Sequence, residues 1–330
     1  NMRKLPYLSM LKRLKMVFLV IKTIKSIIVV QRALVEQEIT EDYFNLNQSK
    51  KPQNSRFSKK FVRRNNKDNR GNASRLPHYD KSLLLWGKHA VTAAIGNSDR
   101  KIYEIFFTES TQDNVQDQIK SRFRLPEANK IKLNALSSKD LTALLPDHSV
   151  HQGFAAIVGE LYYGTLDFQI NRCHSTEYSF VVVLDQVTDP HNLGAVIRSA
   201  VAFSADAIIV HDRSTPRLDG VLGKAASGAL EHIPIIRTKN IARAIDKLKK
   251  AEFWCIGLSD DAQNDLSSLG VHTRTAVVLG AEGEGLRRLT RDSCDNLARL
   301  PTALNFPTLN ISNAASITFY EIRKNLPSKN

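Results

Sequence analysis

The stretch FVVVLDQVTDPHNLGAVIRSAVAFSADAIIV, Phe180–Val210, decides the fold. It opens on FVVVLDQV, a nearly continuous apolar run of the kind that forms a central parallel strand buried on both faces. A turn containing Pro190 follows, then the helical stretch AVIRSAVAFSA and a second apolar run, AIIV at Ala207–Val210. Strand, helix and strand at this spacing make a βαβ unit. Downstream come helix DGVLGKAASGAL, strand IPIIR, helix IARAIDKLKK, strands FWCIGL, TAVVLG (Thr275–Gly280) and LARLP, and a last helix ISNAASITFYEIRK. The alternation specifies an α/β domain over 179–326, a parallel sheet with helices on both faces.

A smaller α/β unit precedes it, over 81–162. LLLWGKHAVTAAI (Leu83–Ile95) reads as an apolar start, Gly87 and a helix; IYEIFFT (Ile102–Thr108) and FAAIVGEL (Phe154–Leu161) read as strands, with QDNVQDQIKSRF a polar helix between them. The mixed polarity of TLDFQINRCHSTEY makes 163–178 the expected linker.

The formal charge of +14 sits almost wholly ahead of both units. Residues 1–75 hold 18 Lys or Arg against 5 Asp or Glu, and the remaining chain holds 29 against 28. The segment 1–80 is therefore read as a basic, largely disordered extension. From Asn47 to Arg75 it is rich in Asn, Ser, Lys and Arg and has too little apolar surface to offset the entropy of ordering. Such a tail attracts polyanions without reading their sequence. The apolar stretch Met16–Val30 carries Lys22 and Lys25 and falls short of the ~20 residues a membrane span requires, so no membrane partner is expected. Cys173, Cys255 and Cys294 are widely spaced, which disfavours a disulfide framework and a cysteine metal site. A cytoplasmic location fits, or an organellar one if residues 1–35 are a transit peptide.

Ligands of open parallel sheets bind beyond the carboxyl ends of the strands, and three loops there carry chemistry. In DQVTDPHNLGAVIRSA (Asp185–Ala200), Asn192 presents an amide just before a helix and Arg198 lies on its first turns. A lone arginine is ordinarily solvated or ion-paired, but the apolar neighbours Val196, Ile197 and Ala200 make this helix a buried one. In VVLGAEGEGLRRLT (Val277–Thr290), Gly280, Gly283 and Gly285 do not fit the dinucleotide-binding spacing GxGxxG, which removes a dehydrogenase reading. Bare peptide groups there can approach an adenosine or a phosphate closely, and Glu282 is either a helix-start carboxylate or a functional one. In LPTALNFPTLNISNAAS (Leu300–Ser316), Asn310 and Ser312 open the last helix, with Ser312 a cap or a site residue.

Together these loops resemble the motifs of the SpoU (TrmH) family of the SPOUT superfamily, the S-adenosylmethionine-dependent RNA ribose 2'-O-methyltransferases. The resemblance runs in order from Phe180 to Lys324 and includes KAASGALEHIPI at Lys224–Ile235. WGKHAV and HQGFAAIV in the smaller unit are similar to the opening and close of the L30e-like RNA-binding domain found in the 23S rRNA guanosine methyltransferase branch. The resemblance implies a C-terminal trefoil knot, which topology rules alone would never suggest. It further implies that Gly280, Gly283, Leu300 and Leu309 hold S-adenosylmethionine, and that Asn192, Arg198, Glu282, Asn310 and Ser312 form the catalytic site. A homodimer through the knotted domain is implied too, with no metal. Leu304, Pro307 and Thr302 depart from the family pattern in the third loop.

The expected reaction is attack of a ribose 2'-hydroxyl on a sulfonium methyl group, which needs alignment and removal of one proton. A guanidinium with a pKa above about 12 is a poor base. Arg198 therefore suits the nucleotide's phosphate and hydroxyl, and proton acceptance stays open between Arg198, the phosphate and Glu282. The substrate expected is RNA, 23S rRNA in the first instance and tRNA as the alternative. A non-catalytic RNA-binding protein keeping the fold is the competing class, against which the intact site residues argue.

Overall fold

The computed structural model describes residues 82–122, 131–218, 220–270, 272–303 and 309–326. The basic extension, Leu304 and Pro307 lie outside the described residues.

Residues Phe180, Val182 and Leu184 of strand β5 (Ser179–Leu184) enter one core, while Val181 and Val183 enter another. A strand buried on both faces has no polar side to spare, which is why its sequence is continuously apolar. Fully burying each such side chain contributes about 1.5–3 kcal/mol. Around β5 lies a seven-stranded sheet completed by β6 (Ala207–His211), β7 (Ile235–Thr238), β8 (Trp254–Leu258), β9 (Asn264–Asp265), β10 (Arg274–Leu279) and β11 (Asn296–Arg299). The order is β7-β6-β5-β10-β8-β11-β9 and every pairing is parallel.

On one face sit α5 (Pro190–Ala202), α6 (Gly220–Ala226) and α9 (Ile311–Asn325). On the other are α4 (Leu166–His174) and α7 (Ile241–Lys250), with α8 (Arg288–Ser293) against α7. Residues 163–178 are thus more than a linker. Thr165 caps α4 by accepting from the Phe168 N–H, and Ile170 and Cys173 are buried beneath β5 and β6. Their spacing, with Leu166, is the helical i, i+4, i+7 pattern.

The chain leaves β10 for α8, reaches β11 on the far side of β8, and returns to α9, which packs on α5. Residues 304–308, between β11 and α9, lie outside the described residues.

The smaller sheet has order β1-β4-β2-β3, from β1 (Ser82–Trp86), β2 (Ile102–Thr108), β3 (Lys132–Leu136) and β4 (Phe154–Gly159). It is mixed: β4 is antiparallel to β1 and β2, and β3 is parallel to β2. Helices α1 (Lys88–Gly96) and α2 (Gln112–Arg122) lie on one face, and α3 (Ser138–Ala143) on the other. Glycines on and after α6 let the two sheets' domains meet closely. A Cβ at Gly220 would lie 1.8 Å from the Trp86 ring, and one at Gly228 would lie 2.9 Å from the His89 carbonyl. The side chains of Arg100 and Glu231, both buried, pair across this contact at 3.3 Å. No described helix is long and apolar enough to cross a membrane.

Candidate functional site

Because β5 and β10 pair in parallel with Leu184 opposite Leu279, their following loops begin side by side, and Asp185 N donates to the Leu279 carbonyl at 2.8 Å. In the first loop Asp189 caps α5, accepting from Asn192 N at 2.9 Å, and Pro190 occupies the first turn. Asn192 accordingly sits inside that turn rather than before the helix. The close approach that Gly194 permits is to α6, since a Cβ there would lie 2.5 Å from Ala225 Cβ.

The second loop folds back on itself. Ala281 N donates to the Gly285 carbonyl at 3.0 Å and Gly285 N to the Ala281 carbonyl at 2.9 Å, with Gly283 and Gly285 at φ 84° and 68°. A Cβ on Gly280 would lie 2.1 Å from Gly285 C, so no larger residue fits the bridge as it stands. Helix α8 starts only at Arg288, so Glu282 is not a helix-start carboxylate. Its Oε2 instead accepts from Asn192 Nδ2 at 3.1 Å and Asn310 Nδ2 at 3.5 Å.

In the third loop Asn310, not Ser312, caps the last helix: its Oδ1 accepts from Ser312 N at 2.8 Å and Ser312 Oγ at 2.6 Å. Its Nδ2 also donates to Asn192 Oδ1 at 3.1 Å. Asn192, Glu282, Asn310 and Ser312, from three separate loops, therefore form one hydrogen-bonded group. Arg198 stands outside it. Its side chain is exposed on α5 and bonds no described residue; six positions beyond Asn192, it projects from a different side of the helix.

Beside this group opens a cleft of about 600 Å³. Gly280, Gly283, Leu300 and Leu309 line it, as do Glu282 and Asn310. Two features of the surroundings were not singled out from sequence. One is Ser259, Asp260 and Asp261 after β8, which also line the cleft. Asp261 accepts from Arg291 Nη1 at 3.0 Å and Ser259 Oγ at 2.5 Å, and these bonds hold its carboxyl below the usual carboxylate range. The signal available was a polar run directly after an apolar strand. The other is Asp185, fully buried, which accepts from Arg287 Nε at 2.9 and 3.1 Å and from Arg287 N at 3.4 Å. This pair ties the far end of the glycine loop to the start of the first loop. Among the described residues no three His, Cys, Asp or Glu side chains gather as a metal site.

The cleft fits an adenosine carrying a cationic sulfur. Gly283 and Gly285 leave open space where side chains would stand, and Glu282, Asp260 and Asp261 supply carboxylates for ribose hydroxyls and positive charge.

A sequence model of the SpoU rRNA Methylase family matches residues 179–320, and one described as RNA 2'-O ribose methyltransferase substrate binding matches 84–164. The 23S rRNA (guanosine-2'-O-)-methyltransferase RlmB of Ralstonia nicotianae is 36% identical over 247 residues, 73% of this chain and 95% of that protein. An uncharacterized tRNA/rRNA methyltransferase of Synechocystis is 35% identical over 240 residues; the match covers 72% of this chain and 62% of that longer protein. Among solved structures, the SpoU methyltransferase AviRb of Streptomyces viridochromogenes in complex with AdoMet superposes with a TM-score of 0.62 at 21% identity, over 74% of this chain and 90% of that one, a likeness of fold.

Proposed function

The chain belongs to the SpoU rRNA methylase family, and from that premise we propose that it methylates the 2'-hydroxyl of a guanosine ribose in 23S rRNA. It is an RNA 2'-O-methyltransferase, and its methyl donor is S-adenosylmethionine. The observation that carries the reading is the joining of Asn192, Glu282, Asn310 and Ser312 beside the cleft shaped by the glycine loop, with Glu282 and Asn310 on its wall.

When bound, the donor supplies a methyl group on a sulfonium, whose leaving group is a neutral thioether. Gly280, Gly283, Leu300 and Leu309 are the residues we assign to holding it. The chain's remaining tasks are to align the ribose hydroxyl, worth about 7–11 kcal/mol when near ideal, and to take its proton. Asn192 and Asn310 direct their amides at Oε2 of Glu282, and Asn310 at Asn192, so the Glu282 carboxylate is oriented through one of its oxygens. Its second oxygen makes no hydrogen bond to a described residue, and we assign it as the proton acceptor. Ser312, fastened to Asn310, positions the sugar. Arg198, exposed and unpaired among the described residues, grips the nucleotide's phosphate with its planar fork.

A homodimer through the second domain is supported by Ile317 and Tyr320 of α9, which are 47% and 55% exposed. We propose a cytoplasmic site of action; the RNA substrate supports it, and the free thiols of Cys173, Cys255 and Cys294 fit a reducing compartment. The test is tritiated methyl transfer from S-adenosylmethionine to unmodified 23S rRNA and to unmodified tRNA, followed by nucleoside mapping. A 2'-O-methylguanosine in 23S rRNA is expected; label in tRNA alone would move the substrate to tRNA, and label in neither would remove the activity.

A further inference from the structure

Beyond its pairing with Asp185, Arg287 also lines a second cavity. This one has a volume of about 280 Å³ and is lined by Lys239, Asn240, Arg287, Arg288, Leu289 and Thr290, together with Ala242. Three of these side chains are cations and none is a carboxylate. Lys239 and Asn240 directly follow β7, and Arg287–Thr290 follow the glycine loop after β10, so the cavity opens on the same carboxyl edge of the sheet as the donor cleft. Gly285 lines that cleft, and the two chain steps from it through Leu286 to Arg287 span at most about 7 Å.

The cations are arranged for an anion that comes from outside. Buried Asp185 holds Arg287 by Nε, which fixes the plane of the guanidinium, and no described residue bonds its Nη1. Lys239 is exposed and pairs with no described residue. Arg288 has an 80% exposed side chain whose partner is Asp292, at 3.5 Å and itself 58% exposed. A pair of that kind binds weakly and yields readily to a phosphate. Leu289 adds an apolar surface, 61% exposed, at the mouth. A guanidinium fixed in plane, a second guanidinium and an ammonium around one hollow are what phosphate oxygens on a backbone require.

We propose that this cavity is a phosphate-binding subsite for the substrate strand, holding the RNA backbone close along the chain from the reacting ribose. The proposal rests on the RNA-methylating reading. It makes Arg287 a positioning residue with two partners, the buried carboxylate that orients it and the phosphate it receives.

The test is the full-length double variant Lys239→Ala/Arg288→Ala, with Lys239→Glu/Arg288→Glu beside it. Neither residue is buried, so the melting temperature should hold. Binding of an unmodified 23S rRNA transcript is followed across a salt series without donor, and turnover is measured with donor. The plot of log affinity against log salt should flatten by roughly 0.7 for each RNA phosphate the variant no longer neutralises. KM for RNA should rise about tenfold in the Ala variant and further in the Glu variant. At saturating RNA, kcat should stay as in the wild type, as should the Kd for S-adenosylmethionine. An unchanged salt slope and KM in the Glu variant would overturn the subsite. A fall in donor affinity with RNA binding intact would also overturn it, since the cavity would then only brace the glycine loop. If the variants lose salt-dependent RNA binding while the wild type methylates neither rRNA nor tRNA, the subsite stands and the proposed reaction falls.

Discussion

Replacing Gly280 by alanine should damage donor binding far more than its single methyl group suggests. The added carbon would sit 2.1 Å from Gly285 C, 2.2 Å from Gly285 O and 2.4 Å from Leu286 N. Ordinary carbon contacts lie at about 3.5–4.0 Å, so the opposite strand of the loop must retreat by more than about 1 Å. Every offending atom is backbone, which cannot swing aside as a side chain would. The two hydrogen bonds between Ala281 and Gly285 break in the process, at about 0.5–1.5 kcal/mol each. If that 1–3 kcal/mol falls on the donor-binding geometry, the Kd for S-adenosylmethionine rises about 5- to 150-fold. Gly270→Ala is the control. Gly270 has φ 69° and nothing within 4 Å of its Cβ position, so alanine there costs only left-handed strain, about 1–2 kcal/mol, away from the cleft. Titration calorimetry with the donor and a thermal melt of both variants separate the cases: Gly270→Ala should lose stability alone, Gly280→Ala affinity as well. A Gly280→Ala protein binding the donor within twofold of wild type would refute the claim that this contact shapes the cleft.

Arg198→Ala should abolish methyl transfer with the donor Kd unchanged; residual wild-type turnover would take Arg198 out of the reaction. Glu282→Gln keeps the shape and the amide contacts but removes the proposed proton acceptor, so kcat should fall by about 10²- to 10⁴-fold while the donor Kd moves little; an unchanged kcat would take Glu282 out of that role. Burial pushes the Cys294 thiol up to about 12 from 9.0 and raises Cys255 as well, so both stay protonated as pH rises past the ordinary thiol range. At pH 8 the Cys294 thiolate fraction is then about 10⁻⁴ rather than about a tenth, and a maleimide should label it slowly in the native protein and fast in guanidinium. Fast native labelling of Cys294 would contradict that burial. Ile317→Glu/Tyr320→Glu places charges on the exposed stripe of α9; with the proposed homodimer, gel filtration should show the wild type as a dimer and the variant as a monomer, and a monomeric wild type or an unshifted variant would remove this interface.

The core of the fold was legible because its strands carry their whole instruction locally. Phe180–Leu184 is apolar at every position, and only a strand covered on both faces uses such a run. Strand β3 was not legible: KLNAL is an edge strand with Lys132, Leu133 and Ala135 all exposed, so it shows no clean alternation, and nothing in its five residues separates it from a loop. Helix α4 was hidden for a related reason, since only Leu166, Ile170 and Cys173 carry its apolar stripe amid polar neighbours. In the candidate site, motif register singled out Asn192, Glu282, Asn310 and Ser312, which the structure joins by hydrogen bonds, but not what each bonds. The partners lie 90 and 118 residues apart along the chain, and only the sheet order brings them together. The buried pair Asp185–Arg287, 102 residues apart, gave no local sign at all.

That pair explains why the three loops act as one site. Parallel pairing of β5 and β10 fixes only where the first two loops begin; a glycine-rich loop of free conformation could still wander from there. Its near end is set by Asp185 N on the Leu279 carbonyl, its middle by the Ala281–Gly285 bridge, and its far end by Arg287 on the Asp185 carboxylate. One residue, Asp185, thus holds both ends of the loop. A carboxylate with no exposure tolerates that place only if it is fully bonded, because an unpaired buried charge costs several kcal/mol. The glycines give the loop room for a ligand at the expense of order, and the buried ion pair restores the order without filling the room. Glu282 then projects from a loop fixed at three points, within reach of both amides that orient it.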